Sequence, residues 1–94
     1  MPYIKPDRRD DLNQEGGLGA FVDYLPLLTA GELNYVITRI VLQHILMKDE
    51  ASYAHLNEVL GVLEAIKLEL YRRYVAPYED KKMKENGDVF LGAP

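Results

Sequence analysis

The sequence predicts an all-α protein: an antiparallel helical hairpin over residues 29–94 with a short C-terminal helix, preceded by an N-terminal arm over residues 1–28 and completed as a bundle by homo-oligomerisation. Three observations predict it. Apolar residues recur at steps of three and four along two long segments, 33–46 and 53–75, which places them on one side of a helix. Thr29-Ala-Gly-Glu32 has the spacing of a capping box, in which hydroxyl and carboxylate each satisfy a free amide at a helix start. Alternating β-branched runs are too few to build a sheet.

The arm lacks a sustained period. Pro2, Pro6 and Pro26 interrupt it, and Asp7-Arg8-Arg9-Asp10-Asp11 is a run of mixed charge. Pro6 followed by Asp7 predicts a short helix through about Asn13, ended by Gly16-Gly17. Gly16-Gly17-Leu18-Gly19 reads as a flexible joint, because a phosphate cradle would need a preceding strand and a lysine. Phe21, Tyr24, Leu25, Leu27 and Leu28 read as apolar cover for another surface.

From Thr29 the stripe Leu33, Val36, Ile37, Ile40, Val41, His44 and Ile45 runs to Lys48-Asp49-Glu50, and Leu42 and Leu46 make it wider than one neighbouring helix needs. Ser52 is the next cap. The period then holds from Tyr53 to Val75, roughly 35 Å of helix at the usual rise. The short connection over 48–52 predicts an antiparallel pair. Pro77 has no N–H, so a bend is expected near Ala76, with Pro77 in the first turn of a last helix that stops at Asn86-Gly87 in a left-handed turn. Asp88 to Pro94 is a tail.

Ninety-four residues admit one small core, and a chain so short buries only a little over ~60% of the surface it exposes when unfolded, which favours partner subunits. A net charge of −4 argues against broad binding to the DNA backbone. The absence of cysteine excludes disulfides, iron–sulfur clusters, zinc fingers and thiol nucleophiles, and permits a reducing, cytoplasmic location. No apolar run approaches ~18 residues and none has signal-peptide character, which argues against export and membrane spanning.

Four sets of residues could carry chemistry. The two histidines are the only imidazoles, and His55-Ala-Leu-Glu58 sets one of them three residues before a carboxylate. The simpler reading places His55 at the surface in a first helical turn and gives His44 a hydrogen bond to a neighbour, and no metal or cofactor is assigned. Glu85-Asn-Gly-Asp88 has the spacing with which helical nucleotide pyrophosphohydrolases hold magnesium, but Glu64 is followed three places on by Lys67, and Asn86-Gly87 reads as a helix stop. Asn57, Gly61 and Glu64 share one face of the long helix, where a glycine suggests close approach of another backbone.

The most informative stretch runs from Lys67 to Lys84, with six basic and three acidic residues in an acidic chain. Tyr71, Tyr74 and Tyr78 are interleaved there with Arg72 and Arg73, a mixture able to stack on a flat base and pair a phosphate. The candidate ligand-binding residues are Tyr71, Arg72, Arg73, Tyr78 and Lys81. The alternative is structural: the tyrosines pack a hairpin or subunit contact, and the arginines pair with Glu69, Glu79 or Asp80.

Thr29-Ala-Gly-Glu-Leu-Asn-Tyr-Val-Ile-Thr38, Asn57 through Arg73, Val75-Ala-Pro-Tyr-Glu-Asp-Lys-Lys82, Glu85-Asn-Gly-Asp-Val89 and the opening Met1-Pro-Tyr-Ile-Lys-Pro6 resemble a family of short phage and bacterial proteins of unknown function. The resemblance implies a phage setting, hence a host cytoplasm, and carries no activity or catalytic residue. Together these features predict a non-enzymatic protein that binds itself and holds an anionic small molecule such as a nucleotide at a subunit boundary. The alternatives are a helical module that binds other proteins, a host protein among them, and a degenerate metal-dependent pyrophosphohydrolase.

Overall fold

The computed structural model describes residues 2–15, 17–46, 52–90 and 92. Among them every regular element is helical and no strand occurs. The chain divides into two compact units, Met1–Val59 and Leu60–Pro94.

In the first unit α1 spans Pro6–Gln14, and Lys5 before it is extended (φ −59°, ψ 143°), the conformation that a following proline imposes. Arg9 Nε donates to the Ile4 carbonyl at 2.7 Å and ties the entering strand of chain to the helix. The helix ends at Gln14, one residue beyond the expected range, with Glu15 as its cap, and Gly17 follows at φ +73°, where a side chain would be strained. Gly16 lies outside the described residues.

The glycine-rich segment is less of a joint than its composition suggests. Gly17 is the hinge, whereas Leu18 and Gly19 already belong to α2, Leu18–Val22. A 3₁₀ turn, Leu25–Leu27, follows with Pro26 inside it, so the arm is more helical than its broken period predicts. Short helices need only three or four consecutive αR residues, which leave no periodic trace. Leu25 and Leu28 are half-buried, but Tyr24 and Leu27 remain open to solvent, Leu27 at 85%.

Helix α3 spans Ala30–Leu46 and begins as the capping box requires. The Thr29 N–H donates to Glu32 Oε1 at 2.8 Å, and the Glu32 N–H donates to Thr29 Oγ1 at 3.2 Å. The amide and hydroxyl of Thr29 hold the Glu32 carboxyl below its ordinary range. Helix α4, Tyr53–Leu70, starts likewise: the His55 N–H donates to Ser52 Oγ at 3.1 Å. The expected connection Lys48-Asp49-Glu50 lies outside the described residues. At the ends that face it, the His44 ring of α3 stacks on the His55 ring of α4, centroids 5.2 Å apart and planes 28° apart. His44 therefore meets its neighbour through the ring face.

In the second unit Pro77 does not break the helix. Residues Tyr71–Val75 form a single π turn, and α5, Ala76–Asn86, continues from it with Leu70, Val75 and Ala76 all in the αR region. The Ala76 N–H reaches five residues back, to the Tyr71 carbonyl. In an α ladder the Pro77 ring would press on the Arg73 carbonyl and leave it without a donor; one extra residue in the turn relieves both problems, so the helix runs on through the proline. Gly87 stops α5 at φ +89° and ψ 150°, positive as expected but extended rather than left-handed helical, while its N–H donates to the Met83 carbonyl at 2.8 Å.

No described side chain in either unit is buried, and the apolar stripes of α3 and α4 are half-buried at best, at Val36, Val41, Ile45, Val59 and Leu63.

Candidate functional site

The π turn controls which side chains of the 71–84 stretch share a face. Eight residues of α-helix turn through about 800°, leaving the ends some 80° apart; one inserted residue brings the eighth position to where the seventh would stand, within about 20° of alignment. Tyr71 and Glu79 use this register: Tyr71 Oη donates to Glu79 Oε2 at 2.9 Å. Arg73 and Lys81 stand in the same eight-residue relation, and Lys84 follows one turn on. The side chains of Arg73, Lys81 and Lys84 make no hydrogen bond or ion pair with any described residue.

The five candidate residues thus divide. Tyr71 is committed to Glu79, and that hydrogen bond, followed by the charge of Glu79, raises the phenol above its ordinary range. Arg72 is committed to the carboxylate of Glu69, one turn back on α4. Tyr78 lies beneath the Lys82 ammonium, 5.7 Å from the ring centroid, and Lys82 also pairs with Glu85 at 3.3 Å. Arg73 and Lys81 remain as cations that pair with no described residue. Tyr71, Arg72, Arg73, Tyr78 and Lys81 are all exposed.

Lys84, one turn beyond Lys81 on α5, is a member that sequence reasoning placed only at the helix end. The tail adds a hollow that no motif announces. Asp88 Oδ1 accepts from the Phe90 N–H at 2.8 Å where the tail leaves α5, and a shallow hollow of about 350 Å³, open to solvent, lies between Glu79, Met83, Asn86 and Phe90. Glu85 and Asp88, the pair with magnesium-like spacing, are occupied with Lys82 and with the Phe90 amide respectively. Among the described residues no three histidine or acidic side chains gather as a metal cluster. Gly61 has nothing within 4 Å of where a Cβ would stand, so nothing in the described chain makes the close approach its place in the helix suggests. Glu64 pairs with Lys67 at 3.3 Å.

Residues 1–89 match the sequence family DUF6899, described as a domain of unknown function. The chain belongs to this family. The match covers every segment that carried the family resemblance in the sequence. No curated protein and no solved structure matches this DUF6899 chain. No helix among its described residues is long and apolar enough to cross a membrane.

Proposed function

We propose that the chain is a non-enzymatic helical interaction module whose first partner is itself. Helices α3 and α4 form an antiparallel hairpin, and a second copy covers their apolar stripes. The observation that carries this reading is the exposure of the chain's apolar residues. Ile37, Ile40, Leu42, Leu60 and Ile66 are all open to solvent, Ile40 at 54%. The His44–His55 stack supports the hairpin by joining the end of α3 to the start of α4. Sedimentation velocity at about 10 μM tests the proposal: more than one chain per particle is expected, and a clean monomer refutes it.

A second reading rests on a separate observation. Arg73, Lys81 and Lys84, which pair with no described residue, suit a small anionic ligand such as a nucleotide, which the exposed Tyr74 and Tyr78 rings could stack against. The charge-paired Arg72 and the hydrogen-bonded Tyr71 frame this site. A nucleotide thermal-shift panel tests it through linkage. A host protein as partner would be the interaction module acting in a phage setting, and pull-down from a host lysate followed by reconstitution with the purified partner tests that.

A further inference from the structure

The helix of the second unit carries an apolar line that reaches further than its spacing in the sequence shows. From Leu60 to Asn86 the chain is helical throughout, through the end of α4, the π turn and α5. Leu63, Ile66 and Leu70 stand at steps of three and four, the spacing at which two helices mesh side by side. In an unbroken α-helix the next two positions on that line are Arg73 and Pro77, which end it. The extra residue of the π turn moves them on by one, to Tyr74 and Tyr78, since eight residues across the whole turn bring Tyr78 within about 20° of Leu70. Ile66, Leu70, Tyr74 and Tyr78 are exposed by 53%, 55%, 74% and 61%. We propose that this line is a contact between two copies of the chain, with the helices antiparallel and Leu70 on the two-fold axis.

Symmetry and charge both favour that pairing. Leu70 has about two turns of the line on either side, so in an antiparallel pair Leu70 meets its own copy, Ile66 meets Tyr74 of the partner subunit and Leu63 meets Tyr78 of the partner subunit. Before Leu70, Glu64 and Glu69 outweigh Lys67 by one charge; after it, Arg72, Arg73, Lys81, Lys82 and Lys84 outweigh Glu79, Asp80 and Glu85 by two. Antiparallel helices set the negative half of each copy on the positive half of the other, whereas parallel helices set positive on positive. Tyrosine suits such a contact, because its ring is apolar and its hydroxyl stays with water at the rim. Tyr74 and Tyr78, so engaged, are withdrawn from the stacking that the nucleotide reading gives them. This inference rests on the self-association proposed above and names one surface for it.

The full chain contains no cysteine, so single cysteines report which residues meet. A disulfide needs Cα atoms within about 7 Å of each other. Under mild oxidation Leu70→Cys should cross-link to its own copy. An antiparallel pair holds position 66 of the two copies roughly 12 Å apart along the axis, and position 74 likewise. Ile66→Cys and Tyr74→Cys should therefore give almost no covalent dimer alone and a clear one when the two variants are mixed before oxidation. Leu70→Lys should lower the particle mass in sedimentation velocity while circular dichroism keeps the parent's helix content. Self-coupling of Ile66→Cys or Tyr74→Cys, or a Leu70→Lys particle of the parent's mass, overturns the antiparallel contact. A parent that sediments as an oligomer while neither Leu70→Cys nor the mixture yields a disulfide overturns this surface alone, and a parent that sediments as a monomer overturns the self-association with it.

Discussion

Tyr71 donates its phenol proton to Glu79 at 2.9 Å across eight residues of continuous helix, a contact whose register exists only because the π turn at Tyr71–Val75 inserts one residue. The bond joins the two sides of that turn. Its energetic sign with pH follows from the raised phenol: a proton held more tightly in the folded chain stabilises it below the ordinary tyrosine range, and that contribution is lost as pH rises through the raised value. Glu79→Gln should bring the Tyr71 titration back toward its ordinary range, read as an earlier rise of one phenolate signal among seven tyrosines. An unchanged titration curve would mean that the two groups do not meet in solution.

Pro77→Ala should let an unbroken α ladder form, since the missing donor returns and the ring clash with the Arg73 carbonyl disappears. Removal of the extra residue from the turn rotates Glu79 by about 100° relative to Tyr71. The variant should therefore lose the Tyr71–Glu79 coupling, and its Tyr71 should titrate like that of Glu79→Gln. Persistence of the coupling would show that the π turn has another cause.

Thr29→Ala should destabilise the start of α3 by about 1 kcal/mol, because it deletes the hydroxyl that accepts the Glu32 amide. Chemical denaturation measures it. The Glu32 carboxyl is held below its ordinary range, so its contribution is present at neutral pH and fades as pH falls through the lowered value. Glu32→Gln should flatten that part of the acid profile. An unchanged midpoint for Thr29→Ala would place the effective helix start elsewhere.

Arg73→Ala and Lys81→Ala should each reduce a nucleotide-induced thermal shift and its salt sensitivity, while Arg72→Ala reduces it less, because Arg72 is committed to Glu69. All three should leave the unliganded melting temperature nearly unchanged, since exposed ion pairs contribute only ~0–1 kcal/mol. If Arg73→Ala unfolds the chain or disperses the oligomer, Arg73 belongs to an interface and the small-ligand reading falls.

Ile40→Lys should convert the associated chain to a smaller particle, because a charge on the exposed stripe of α3 cannot be covered by an apolar partner face without a mate. Light scattering would detect it. An unaltered particle mass would move the interface away from this face of α3.

Local chemistry by itself determined where the helices begin and what class of fold they make. Capping residues act through backbone amides within three positions of themselves, so Thr29, Glu32 and Ser52 announce α3 and α4 in the sequence, as Pro6 does for α1 and Gly87 for the end of α5. The charge of the 67–84 stretch was equally legible. Its sorting was not: whether an arginine is paired or open, and which residues share a face, depends on helical register, and the π turn changes that register by one residue with no periodic mark in the sequence. The meeting of His44 and His55 is likewise a tertiary fact, since eleven positions separate them and only the placement of α3 against the start of α4 brings two imidazoles to 5.2 Å. Short-range rules read from a sequence reach about one turn of helix; contacts made beyond that distance depend on how turns and helices stack, which only the folded chain decides.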